Sequence, residues 1–231
     1  KGRPIAEPAP KDGRSEFARD RDRVTHSYAF RQLSGKTQVF TPASNQFGAS
    51  PSEKILYDDA MRTRMSHSIE VAQVARSIAR ALKLNEDLSE TLALAHDMGH
   101  TPFGHSGQDV LNECMKPYGG FEHNIQSLRV VTDLGHRYME FKGLNLMFET
   151  REGILKHCSA KNAQILGDVA WRHREGKSPT LEAQATDLGD AIAYMCHDID
   201  DGIRSGLITP KDFEDVELFG RCWRDVRNRF K

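Results

Sequence analysis

The run SHSIEVAQVARSIARALKLNEDLSETLALAHDMGHTPFGH, residues 66–105, decides how this chain folds. Val71, Val74, Ile78 and Leu82 recur at steps of three and four, which lays one apolar stripe along a helix over about residues 62–84. His67 stands four positions before Val71 and so faces the same way. Asn85 is placed to cap the next helix, because its short side chain accepts from the free N–H groups of a first turn. Leu88, Leu92 and His96 then fall at steps of four, which sets His96 and Asp97 at the buried C-terminal end of that helix. Gly99, Pro102 and Gly104 stop it.

Toward the N-terminus, charges alternate with apolar residues at helical spacing over residues 17–40, and a helix is expected there, ending near Gly35. Residues 41–54 carry Pro, Ser, Asn and Gly and read as a loop, and residues 1–13 read as a mobile arm. Toward the C-terminus, helices are expected over residues 108–115, 122–134, 151–157, 181–203 and 210–230, with a loop at 176–179. The long helix sets Asp187, Asp190, Tyr194 and Asp198 within one broad face. Strand-like alternation is nearly absent, so the expected architecture is all-α, a single core over residues 14–231. The lack of an initiator Met and the end inside a helical pattern read as part of something longer, truncated at the C-terminal end.

Composition narrows the classes. The 231 residues carry 32 Lys+Arg against 33 Asp+Glu, a net charge of −1, which excludes a strongly basic coat on nucleic acid. No stretch approaches the roughly 20 apolar residues of a membrane-spanning helix, and the opening lacks the apolar core of a secretory signal, so no membrane partner and a cytoplasmic setting are expected. The four cysteines are scattered without a CxxC pair, which suits reduced thiols. The cluster Arg14, Arg19, Arg21 and Arg23 is interleaved with Asp20 and Asp22, reading as a solvated or interface face; a nucleic-acid site there is unsupported. No glycine-rich phosphate loop occurs.

His67, the His96-Asp97 doublet and Asp190 lie on three expected helices, each facing inward. Imidazole nitrogen with carboxylate oxygen suits a divalent metal with positions left open for water and substrate. The competing reading is a set of hydrogen-bonded core histidines. Burying Asp97 beside a histidine at an apolar helix end costs several kcal/mol unless a metal or charge partner offsets it.

The pattern R-x-x-H (Arg64 to His67), HDMGHTPFGH (residues 96–105) and D-x-x-x-Y-x-x-x-D (Asp190, Tyr194, Asp198) resembles the HD-domain superfamily of metal-dependent phosphohydrolases. The runs FARDRDRVTHSYAFRQLSGKTQVF, SHSIEVAQVARSIARAL, GLNLMFETREGILKH and HDIDDGIRSGL are similar to its deoxynucleoside triphosphate triphosphohydrolase branch, the dGTPase-like proteins, over about residues 14–207. The resemblance implies an HD-domain helical bundle around a buried metal site, with His67, His96, Asp97 and Asp190 as ligands of Mg, Mn or another first-row transition metal. It implies Arg64 on triphosphate oxygens; His100, His105 and His123 in the catalytic pocket, with His105 first and His123 second as proton donor; and Tyr194 and Asp198 on the sugar. Gln38 matches a base or sugar contact, and Val39 an apolar wall beside the 2′ carbon, although core packing explains Val39 equally. The implied reaction splits dGTP or a related dNTP into deoxynucleoside and triphosphate, in a homo-oligomer, hexamer or tetramer.

Two departures from the family pattern stand out. An acidic residue that supports His105 in relatives is here Gln108, and a position often charged is Ala191. Gln108 keeps open a catalytically weak nucleotide-binding or scaffold protein, and a bare HD pattern also fits a phosphohydrolase of nucleoside monophosphates.

Overall fold

Thr63 and Asn85 open the two helices on which the rest is arranged, in a computed structural model that describes residues 2–39 and 61–230. Phe40 and the loop expected over residues 41–54 lie outside the described residues. Thr63 accepts from the Ser66 N–H while Ser66 returns a bond to the Thr63 N–H, a capping box that starts α3 (Arg64–Ala81) and puts Arg64 and His67 in its first turns. Asn85 accepts from the Leu88 N–H at 2.9 Å and starts α4 (Glu86–Ala95), as its sequence position predicts.

Before these come α1 (Glu16–Thr25) and α2 (Tyr28–Gln32); after them α5 (Gly104–Met115), α6 (His123–Arg129), α7 (Phe148–Ile154), α8 (Ala160–Leu166), α9 (Trp171–Glu175), α10 (Leu181–Arg204) and α11 (Glu217–Arg229). The fold is all-α: among the described residues there are no strands, only isolated bridges at Thr37–Thr63 and His136–Gly143. No described helix is long and apolar enough to cross a membrane. Two units divide the chain where one core is expected: the first takes its described part from residues 2–39 and 62–194, the second from Met61 and residues 195–230. Helix α10 runs through both. In the second unit the Ile208 side chain covers Gly202 and Phe219 stacks with Trp223.

Several expectations are corrected. The helix expected over residues 17–35 is two, because Ser27 leaves α1 and caps α2 by accepting from the Phe30 N–H. The buried face of α3 is not the stripe Val71, Val74, Ile78, Leu82: Val71 is buried with Ala72, Ala75 and Ala79, and Leu82 is 63% exposed. Alanines are used because neighbours come close; a Cβ at Gly189 of α10 would stand 3.2 Å from the Ala75 nitrogen. Helices α8 and α9 were not expected from the sequence. The arm read as mobile is tied down by Arg3, which donates to the Asp20 carboxylate and to the Asn145 carbonyl, while Glu7 pairs with Arg23.

Asp20 is fully buried and accepts from the Met147 N–H at 2.8 Å and the Thr150 hydroxyl at 2.7 Å besides Arg3, so it joins the arm, α1 and the start of α7. Burial pushes its pKa up against these partners. Asp20→Ala leaves the Met147 N–H and the Thr150 hydroxyl without their acceptor and takes one carboxylate from Arg3, which keeps Glu16; it is expected to lower the unfolding free energy by about 3 kcal/mol, on the scale of a broken buried pair. A urea midpoint equal to that of the unaltered protein would show that this carboxylate does not hold the arm.

Candidate metal centre

His67 from α3, His96 at the end of α4 and Asp190 from α10 bring one ligand atom each within 4.8 Å of one another. His67 Nε2 stands 3.0 Å from Asp190 Oδ1, and the His67 and His96 ring centres are 5.6 Å apart. The His96 Nδ1–H is donated to the Ala93 carbonyl at 2.6 Å, which leaves Nε2 as the free lone pair. That Nε2 lies 3.5 Å from Asp97 Oδ1 and 3.6 Å from Asp190 Oδ1. Asp97 therefore borders the three-member group through His96. Two imidazoles, one carboxylate and a second carboxylate alongside fit a first-row divalent cation with positions left open.

The outer oxygens of the two carboxylates are each held by a cation. Arg64 Nη1 donates to Asp97 Oδ2 at 2.5 Å, and Lys156 Nζ donates to Asp190 Oδ2 at 2.7 Å while also meeting Asp187 at 3.3 Å. Burial alone would raise Asp97, but His96 and Arg64 hold it well below the usual carboxylate range; Asp190 is likewise held low against its burial by His96, His67 and Lys156. Lys156 is raised, burial being outweighed by Asp190 and Asp187. The turn after α4 is fastened from α6: Ser127 Oγ donates to the His96 carbonyl and accepts from the Gly99 N–H. Gly99 is required there, since a Cβ would fall 2.1 Å from the Ser127 nitrogen.

Beside this centre His100, His105 and His123 cluster, with ring centres 4.7 Å (His100–His123), 5.2 Å (His100–His105) and 5.9 Å (His105–His123) apart. Burial pushes the His100 imidazole down to about 4 and His123 also downward. Helix α5 begins at Gly104 rather than 108, which puts His105 in its first turn, exposed toward the pocket. Gln108 does not support His105; its Oε1 accepts from the His123 Nδ1–H at 2.6 Å and the His123 backbone N–H at 3.0 Å. The reason is reach: α5 passes the N-terminus of α6, where His123 offers both donors to one oxygen.

A pocket of about 860 Å³ joins these groups, lined by the metal-site residues, Arg64, Gln38, Val39, the three histidines, Lys156 and Tyr194. Backbone bonds from Gln38 to Arg62 and from Arg64 to Lys36 hold Gln38 and Val39 at its edge, and Gln38 Oε1 is buried without a partner among the described residues. Ala191 also lines it. Asp198 falls in the second unit, half-buried.

Lys156 was missed in the sequence because residues 151–157 read as one helix. Helix α7 stops at Ile154; Leu155, at φ −79° and ψ 76°, makes an inverse γ-turn closed by the Lys156 N–H on the Ile154 carbonyl at 2.9 Å. Arg172 and His173 both donate to the Leu155 carbonyl, and Arg172 is paired with Glu152. The Lys at the end of GILK is the only sequence signal, and nothing in its spacing marks it.

Residues 64–205 match the family model of the HD domain. The whole chain is 60% identical over 230 residues to a deoxyguanosinetriphosphate triphosphohydrolase-like protein of Ralstonia pickettii, of which it covers 56%. It is 59% identical over 221 residues, 96% of this chain and 55% of the relative, to a protein so named in Thiobacillus denitrificans. It is 55% identical over 234 residues, all of this chain and 57% of the relative, to one in Bordetella pertussis. The chain thus spans little more than half the length of these curated relatives.

The depressed His100 gives a pH dependence. An unfolded chain takes up this proton near 6.5 and the folded one only near 4, so His100 costs no stability above about pH 7 and an increasing amount as pH falls between those values. At pH 5 the cost is about 2 kcal/mol. Between pH 7.5 and 5, metal-free His100→Gln is expected to lose about that much less stability than the unaltered protein in urea titrations; parallel losses would refute the assignment.

Proposed function

The chain belongs to the HD-domain family, and from that premise we propose that it hydrolyses deoxynucleoside triphosphates, dGTP among them, to the deoxynucleoside and inorganic triphosphate. The observation that carries the reading is one pocket holding a His–His–Asp group next to two cations, Arg64 and Lys156, and a separate histidine cluster. The relatives' names agree with it in words only.

Acting within this reading, His67, His96, Asp97 and Asp190 hold a divalent metal, which supplies Lewis-acid activation of water near neutral pH and positive charge at the substrate phosphate. Arg64 and Lys156 face the triphosphate. The guanidinium suits that task because Nη1 is fixed on Asp97, which orients the planar fork. Water attacks the α-phosphorus as the bond to the 5′-oxygen breaks, and that oxygen takes a proton from the His105 imidazolium. Gln38 and Tyr194 contact the nucleoside, and Val39 stands against the 2′ carbon and rejects a 2′-hydroxyl. Mg, Mn or another first-row transition metal serves the centre, and the protein works in the cytoplasm.

The test is an incubation of the purified protein with each dNTP and with GTP, with Mg or Mn, resolved by ion chromatography. Triphosphate from dNTPs and little turnover of GTP is expected; orthophosphate would indicate a different phosphohydrolase, and no product a binding protein. Asp97→Ala and Asp190→Ala are expected to abolish both hydrolysis and metal content by elemental analysis while keeping the helical circular dichroism. Retained metal would overturn the ligand set.

We also propose self-association into a closed hexamer or tetramer. Arg21 and Arg23 are engaged within the chain by Asp87, Glu90 and Glu7, so any interface near α1 uses other side chains. Light scattering at micromolar concentration, with and without dNTP, is expected to give a mass above the monomer; a monomer mass in both would reject it.

A further inference from the structure

We propose that Gln108 is a positioning residue that acts through His123: its amide oxygen locks the imidazole with the proton on Nδ1, so that Nε2 meets the pocket as a bare acceptor. An amide can be read with oxygen and nitrogen exchanged, but here the contacts settle the orientation. The Gln108 atom lying 2.6 Å from His123 Nδ1 is also 3.0 Å from the His123 backbone nitrogen, and a backbone N–H only donates. That atom is therefore the oxygen. An oxygen that accepts the backbone N–H and stands against Nδ1 requires a proton on Nδ1, and the neutral ring then carries its lone pair on Nε2.

His100 arrives at the same state by another route. Its Nδ1 faces the Thr101 carbonyl at 3.2 Å, so it carries the proton, and its buried Nε2 has no partner among the described residues. Two neighbouring histidines thus present bare Nε2 atoms, whereas His105 has no such Nδ1 acceptor among its described contacts. The cluster divides into two acceptors and one ring free to carry a proton. His123 is accordingly removed as a proton donor at neutral pH, and the donor role falls to His105 alone.

The groups facing His123 agree with this division. Glu122, which starts α6, stands 3.5 Å from Nδ1 but already accepts from the N–H groups of Asn124 and Ile125 and from the Asn124 amide. His100 and Asp97 from the turn after α4, His105 from α5 and Arg64 from α3 complete the surroundings. A carboxylate at position 108 would instead add a negative charge against Nδ1–H and favour the imidazolium.

The activity arm of the test rests on the proposed hydrolysis; the spectroscopic arm does not. Long-range 1H–15N spectra of protein labelled in histidine, metal-free at pH 7.5 and assigned through His123→Gln and His100→Gln, read the tautomers directly. Expected for His123 is a protonated Nδ1 and bare Nε2. Gln108→Leu is expected to lose this preference, and Gln108→Glu to keep the Nδ1 proton and raise the His123 titration midpoint by one pH unit or more. Residue 108 lies on a helix without buried side chains, so both variants are expected to fold. A proton on Nε2 in the unaltered protein, or an unchanged pattern in Gln108→Leu, overturns the proposal. In steady-state kinetics on dGTP, Gln108→Leu is expected to lower kcat about tenfold or more with KM little changed; a shifted tautomer with unchanged kcat overturns the link to chemistry. If the unaltered protein hydrolyses no dNTP, the proposed function fails and the spectra alone decide the role of Gln108.

Discussion

Two carboxylates, Asp97 just past the end of α4 and Asp190 inside α10, have to be met by opposite charge, and the helices that carry the site are arranged around that need. Asp97 and Asp190 each turn an inner oxygen toward His96 Nε2 and an outer one toward a cation, Arg64 or Lys156. The capping box at Thr63 brings the first cation by starting α3 at Arg64. The γ-turn at Leu155 brings the second. The turn that places Lys156 is supported by Glu152 on Arg172 and by Arg172 and His173 on the Leu155 carbonyl, so the charge balance of Asp190 depends on residues with no place in the pocket.

Close approach is the second condition. Helices that carry ligands from three parts of the chain have to bring their backbones near, which explains why the centre is surrounded by small residues rather than the large apolar ones that mark a core in sequence. Ala72, Ala75 and Ala79 of α3, Gly189 of α10 and Gly99 against Ser127 are that surface.

These two conditions account for what could be read in the chain and what could not. Local signals were legible: the Asn85 cap, the end of α4 at His96, the inward-facing His67 and the near absence of strands all follow from short-range propensity and spacing. The direction of α3's buried face was not, because periodicity weighs Leu82 and Ile78 above alanines whose value lies in the distance to a partner helix. Lys156 and Gln108 were misjudged for the same cause. Their partners, Asp190 and His123, are distant in sequence, and only the tertiary path shows which side chain they meet. Ser27 shows the local version, a polar residue whose capping bond outcompetes the continuation of a helix.

Helix α5 carries His105 and Gln108, yet none of its residues is buried. Its hold on the rest is a few polar contacts, such as Gln108 on His123 and Asn112 on the Phe121 N–H, together with a left-handed Phe103 at its start. A segment with so little enclosed apolar surface opens locally at a small fraction of the global unfolding free energy, so its amides exchange with solvent while α3 and α4 stay protected. The frame of the candidate metal centre and the exposed His105 beside it therefore belong to different cooperative units. Mutational drift in α5 can retune the chemistry without touching the stability of the frame.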